Sequence, residues 1–145
     1  MTLRDKLLNQ GWVKKSFRLR EEYLLVCAYL EFKSKKINIS NHELYNSIFN
    51  FSIDYLNTNS NNQYIIEKYD KKRNVKGFMI KKETQDRFND LFDKMKEVLV
   101  KDTDEEIYIG ELVEFIIYIY CFKSKNFSNN DFAMVGEINW GIMDK

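Results

Sequence analysis

"KSFRLREEYL" (residues 15–24) alternates apolar and basic side chains and then turns helix-like. In a strand, successive side chains point to opposite faces. Phe17 and Leu19 then share one face, and Ser16, Arg18 and Arg20 the other. The first face needs a core. The second sets two guanidiniums side by side, which repel unless an anion lies across them. The next stretch, "EEYLLVCAYLEFKSKK", places Tyr23, Cys27 and Leu30 on one stripe of a helix. In "NISNHELYNSIFNFSIDYL" (38–56), Ser40 and Glu43 form a capping box, and Leu44, Ile48, Phe51 and Tyr55 line one helical face. Residues 15–56 thus read strand, helix, loop, helix.

The pattern recurs. In "VKGFMIKKETQDRFNDLFDKMKEVLVKD" (75–102), Phe78 and Ile80 alternate as Phe17 and Leu19 do, 61 residues later. Phe88, Leu91, Phe92, Met95 and Leu99 supply a helical stripe. Thr103 or Asp104 can cap a last helix over 107–122, whose Glu111-Leu112 corresponds to Glu43-Leu44 at an offset of 68. The growth of the offset from 61 to 68 places about two extra helical turns in the second copy's first helix and following loop. One strand-helix-helix unit leaves strand edges unpaired and cannot close a core. Two copies can pair their strands antiparallel and cover them with four helices. The expected fold is mainly α with one short two-stranded antiparallel β-ribbon. Two tandem units (14–56 and 75–123) form one pseudo-symmetric domain over 1–145, with a linker at 57–74 and a C-terminal tail at 124–145.

With its F-x-L-R strand at Phe17, Leu19 and Arg20, and a second helix opening at Ser40, Glu43 and Leu44, the first copy resembles the ribbon-helix-helix (Arc/MetJ-like) DNA-binding superfamily. The second copy is looser: Tyr108 stands where the capping Ser does. Most members are dimers with one copy per chain. Tandem single-chain members exist, among them an accessory protein of F-type conjugation relaxosomes. The resemblance implies that the ribbon enters the major groove. Ser16, Arg18 and Arg20 from one strand, and Met79 and Lys81 from the other, would read bases. Ser40 and Asn41 at a helix N-terminus would hold phosphate, with Lys15 and Lys76 as further phosphate contacts. Asp104, Glu105 and Glu106 crowd the equivalent terminus of the second copy, which implies a weaker clamp there.

Composition sets the remaining bounds. With 44% hydrophobic and 15% aromatic residues, the 145-residue chain can build a real core. Proline is absent. Net charge is only +1, but its distribution is uneven. Residues 1–36 carry nine bases and four acids (+5), and 67–101 eleven and seven (+4). Each basic block precedes an acidic one: residues 37–66 carry no bases and two acids (−2), and 102–145 three and nine (−6). A local basic face is therefore compatible with the neutral total. Cys27 and Cys121 lack metal or redox spacing and read as core residues in a reduced, cytoplasmic protein. The start of the chain lacks a signal-peptide core, and the eight-residue run "FIIYIYCF" (115–122) is too short to cross a bilayer. "DTDEE" (102–106) lacks the glycine of a calcium loop. His42, at a helix N-terminus, reads as a surface residue. No nucleophile–base pairing or phosphate loop stands out, so the expectation is no enzyme, no cofactor and no metal.

"QYIIEKY" within the linker can form an extra strand, and "TLRDKLLNQGW" a short helix capped by Thr2. Phe132, Met134, Val135, Ile138 and Trp140 in the tail can pack on the bundle or hold a partner. The leading functional expectation is sequence-specific binding of double-stranded DNA by a monomer carrying both ribbon strands and able to associate on DNA. A plasmid-type accessory role at a transfer origin comes first, with a relaxase or other protein as the C-terminal region's candidate partner. An autorepressor or partition protein comes next. A protein-interaction module (antitoxin or phage-encoded inhibitor) and a purely structural bundle are the other classes.

Overall fold

The computed structural model describes residues 2–59, 61–95, 99–101, 103 and 105–144. The chain runs α1 (Leu3–Asn9), β1 (Trp12–Leu19), α2 (Glu21–Lys36), α3 (Asn41–Thr58), β2 (Tyr64–Ile66), β3 (Asn74–Lys81), α4 (Lys82–Met95), β4 (Leu99–Lys101), α5 (Ile109–Lys123), α6 (Asn129–Val135) and β5 (Ile142–Asp144).

Local chemistry explains the starts and stops. Thr2 and Asp5 form a capping box at α1, and Gly11, at φ 87°, lets the chain turn directly into β1. Ser40 accepts the Glu43 amide at α3. Ser128 and Asp131 form the capping box of α6. At α5 the Glu111 carboxylate reaches back to the Tyr108 amide at 3.0 Å.

β1 and β3 pair antiparallel, with Ser16 opposite Gly77. Their inner face carries Phe17, Leu19, Phe78 and Ile80, all buried. These pack on Tyr45 and Phe49 of α3 and Phe88 of α4, with ring centroids 4.8–6.0 Å apart. α5 is the centre of the molecule: every residue from Gly110 to Cys121 is buried. A helix apolar on all sides must be enclosed, and each large apolar side chain buried this way contributes ~1.5–3 kcal/mol. α3 is pinned to it by the Ser52 hydroxyl, which donates to the Ile116 carbonyl at 2.7 Å.

The expected architecture of one ribbon and two tandem units is overturned. There are six helices and two sheets among the described residues. The second sheet has strand order β4-β2-β5, with β2 parallel to β4 and antiparallel to β5. Its inner residues Tyr64, Ile66, Leu99 and Ile142 are buried, and the Tyr64 ring meets Phe115 of α5 at 4.8 Å. The physical reason lies in three short segments. Residues 64–66 and Leu99–Val100 are β-prone and apolar, and 142–144 supply the third strand. Only the first stands out in the sequence, within "QYIIEKY"; the other two are too short to show against a helical or loop background. Leu99 therefore belongs to a strand, not to the stripe of α4, which ends at Met95. The longer helix expected after the second ribbon strand is not there among the described residues: α4 has 14 residues and α2 has 16. The segment 57–74 and the tail are structural parts: Trp140 packs edge-on to Tyr23 at 5.8 Å and Phe122 at 5.0 Å.

Candidate nucleic-acid interface

The register of β1 and β3 decides which side chains face outward. The pairs Trp12–Lys81, Lys14–Met79, Ser16–Gly77 and Arg18–Val75 lie on the face opposite Phe17 and Phe78. Lys14, Ser16, Arg18, Val75, Gly77 and Lys81 are exposed, and Met79 is half-buried. Gly77 leaves room for its neighbour: a Cβ there would stand 3.0 Å from Lys14 Cε, so the lysine lies across the glycine. Lys81 Nζ sits 5.7 Å from the Trp12 ring centroid. Neither strand contains an acidic residue. Among the described residues, Lys14, Lys15 and Arg18 have no carboxylate within ion-pair distance. Lys15 shares the parity of Phe17 yet remains exposed.

Arg20 does not belong to this face. β1 ends at Leu19, and Arg20 is the N-cap of α2, 1% exposed. Its guanidinium donates to the Glu67 carbonyl and lies 3.6 Å from Glu114. The expectation that it reads bases is corrected: its side chain has turned inward to join two sheets. Arg20 and Arg73 flank the Tyr69 ring at 4.7 and 5.1 Å, and Arg73 and Lys101 flank Tyr108, both at 4.8 Å. This alternating ladder of cations and rings closes over Glu111 and Glu114. Burial pushes both carboxyls above the usual range, against the pull of Lys101 and Arg73 on Glu111 and of Arg73 and Arg20 on Glu114.

The expected phosphate contacts are mostly engaged elsewhere. Lys76 lies on the inner face, and its Nζ is 2.8 Å from Glu31. Asn41 donates to the same carboxylate at 2.8 Å, and so does the Tyr45 hydroxyl. Glu31 thus takes the place an external anion was expected to hold between Asn41 and Lys76. The Ser40 hydroxyl is occupied in capping, and donates to Glu43 at 2.9 Å. His42 packs edge-on to Trp12 at 4.7 Å rather than standing free. The N-terminus of α5 is closed as well, because Gly110 lies against the Arg18 carbonyl. Glu105 and Glu106 are exposed ahead of that terminus, and Asp104 lies outside the described residues.

No family model, curated protein or solved structure matches this chain. The reading therefore rests on the face itself. The structure brings Ser16, Arg18, Met79 and Lys81 together, and excludes Arg20 and Lys76. It adds Lys14 and Trp12, whose place was available from the parity of Phe17 carried back along the strand. Among the described residues no cluster of His, Cys, Asp or Glu is arranged to hold a metal ion, and no helix is long and apolar enough to cross a membrane.

Proposed function

We propose that the outer face of the β1–β3 ribbon binds double-stranded DNA. One observation carries this: an exposed two-stranded face with Lys14, Arg18 and Lys81, no acidic residue in either strand, and a small centre at Ser16–Gly77. A two-stranded ribbon fits the major groove, and Arg pairs bidentately with guanine. Lys14 and Lys15 suit phosphate, which adds sequence-independent, salt-dependent affinity. Met79 offers no strong hydrogen bond and suits a thymine methyl, so the two strands would read their bases with unequal stringency.

The test is fluorescence anisotropy of labelled duplexes, first a randomised pool and then its selected members, at low and moderate salt. Selective binding that is weakened by Arg18→Ala supports the reading. Absence of binding, or binding of every duplex alike with Arg18→Ala no different from the parent, refutes it.

A further inference from the structure

The ribbon leaves one backbone edge open. In an antiparallel pair, residues point their N–H and C=O groups alternately toward the partner and away from it. The Lys81 amide points away from β1 and donates to Asn46 Oδ1 at 3.0 Å. By the same parity, Val75, Gly77 and Met79 turn their amides and carbonyls to that side. Across the ribbon, the Arg18 carbonyl points outward onto α5 at Gly110, as its pairing with Val75 requires. The β1 edge is thus covered at Arg18, and the β3 edge at Lys81. Among the described residues, the backbone groups of Val75, Gly77 and Met79 on that edge have no hydrogen-bond partner.

At Gly77 and Met79 this edge forms the floor of a groove of about 250 Å³, and Val75 continues the edge beyond it. α1 forms one wall through Leu3, Arg4 and Leu7, and the first turn of α3 forms the other through Asn41 and His42. Leu3 is 64% exposed and Val75 59%. Arg4 and Lys14 stand on the rim without an ion-pair partner among the described residues, whereas Lys76 beside them is already paired with Glu31 and adds no free charge. An open strand edge between two helical walls is the geometry in which an extended peptide adds as a further strand.

We infer that the β3 edge at Val75–Met79 binds an extended acidic peptide segment by strand addition. The free amides and carbonyls supply main-chain pairing. Alternate side chains would meet Leu3 and Met79 on one side, and Arg4 and Lys14 supply the charge preference. A second copy of this strand is the poorer occupant, because it would bring Lys76 and Lys81 against the same cations; edge lysines oppose self-pairing in this way. The inference goes beyond DNA binding and does not depend on it.

The probe is a short synthetic peptide alternating Glu with Val and Thr, titrated into ¹⁵N-labelled full-length protein. Its counterpart with Lys at each Glu position is the control. The expected result is saturable movement and slowed exchange of the Val75, Gly77 and Met79 amides with the acidic peptide alone. Arg4→Glu with Lys14→Glu, both on the surface, should weaken it about tenfold. Equal binding of the two peptides, no saturation at millimolar peptide, or movement confined to other amides overturns the inference. So does movement of these three amides by a short DNA duplex and not by the peptide, which would make the edge part of the nucleic-acid face. Loss of DNA binding with the peptide result intact would sink the DNA reading alone.

Discussion

The Glu114 carboxylate accepts the backbone N–H of Arg20 at 2.6 Å while lying 3.6 Å from the same residue's Nε, with both side chains 2% exposed. In a capping box, the acid that reaches back to the N-cap amide comes from the helix's own first turn. Here it comes from α5, and the start of α2 is thereby locked to the central helix. Arg20→Ala should cost ~3 kcal/mol of stability, since it breaks a buried ion pair and leaves Glu114 with Arg73 as its one cation within ion-pair distance among the described residues. Urea denaturation of the variant checks this. A change within experimental error would show that Arg73 suffices.

Arg18→Ala is expected to behave in the opposite way. Its side chain is exposed, so stability should stay within ~0.5 kcal/mol of the parent. DNA affinity should fall by ~1–3 kcal/mol, with relaxed preference at one or two base pairs. Lys14→Ala should weaken all sequences alike and flatten the salt dependence by about one unit. Melting curves beside binding isotherms on single-base variants of the selected duplex separate the two effects.

Gly110→Ala should destabilise the fold by roughly 1–3 kcal/mol, because the new Cβ meets the Arg18 carbonyl oxygen closer than real Cβ contacts allow. The helix gains propensity from Ala, so a stabilised variant would mean that α5 can slide away from β1. Thermal denaturation reads the sign.

Acid should loosen the contact of α6 with α2. Burial opposes ionisation of Asp131, but hydrogen bonds from Tyr29, Lys33 and Ser128 outweigh it and hold the carboxyl at about 2. A carboxyl depressed below its unfolded value of ~3.9 adds stability above that pH and loses it as pH falls through the folded value. The contribution should therefore fade between about pH 4 and pH 2. Asp131→Asn should flatten the acid limb of stability against pH. An unchanged limb would place the acid sensitivity elsewhere.

Cys27 and Cys121 are each 1% exposed, and burial raises both thiols, Cys27 to about 12. Neither should react with a thiol reagent in the native protein at neutral pH, and both should react in denaturant. Mass spectrometry of the alkylated protein gives the count. Labelling of either cysteine without denaturant would show that the core around α5 opens locally.

Much of this was legible because it is written in short-range chemistry. Thr2 and Ser40 announce their helices through acids three residues on, and the alternation of Phe17 and Leu19 announces a half-buried strand. The apolar start of "QYIIEKY" reads as a strand, and the structure places β2 at Tyr64–Ile66 within it. The alternation does not place Arg20 correctly, for a local reason: parity holds only within the strand, and the strand stops one residue earlier. The pairing of Asn41 and Lys76 with Glu31 was not legible, because it joins side chains 10 and 45 residues from Glu31. The rest of the second sheet is hidden for the same reason. Its three strands have three residues each, and only their meeting makes them strands.

That meeting has an order in time. β2 lies between β4 and β5, and both of its partners follow it in the chain. As the polypeptide emerges during synthesis, Tyr64 and Ile66 have no edge to pair with until residues 99–101 appear, and the sheet cannot be completed until residues 142–144 do. At ~5–20 residues per second, the wait from β2 to β5 is on the order of 4–16 s. Through that interval the apolar β2 strand lacks one or both of its sheet partners, so slower translation of the residues up to 144 lengthens the time an edge of it stands open.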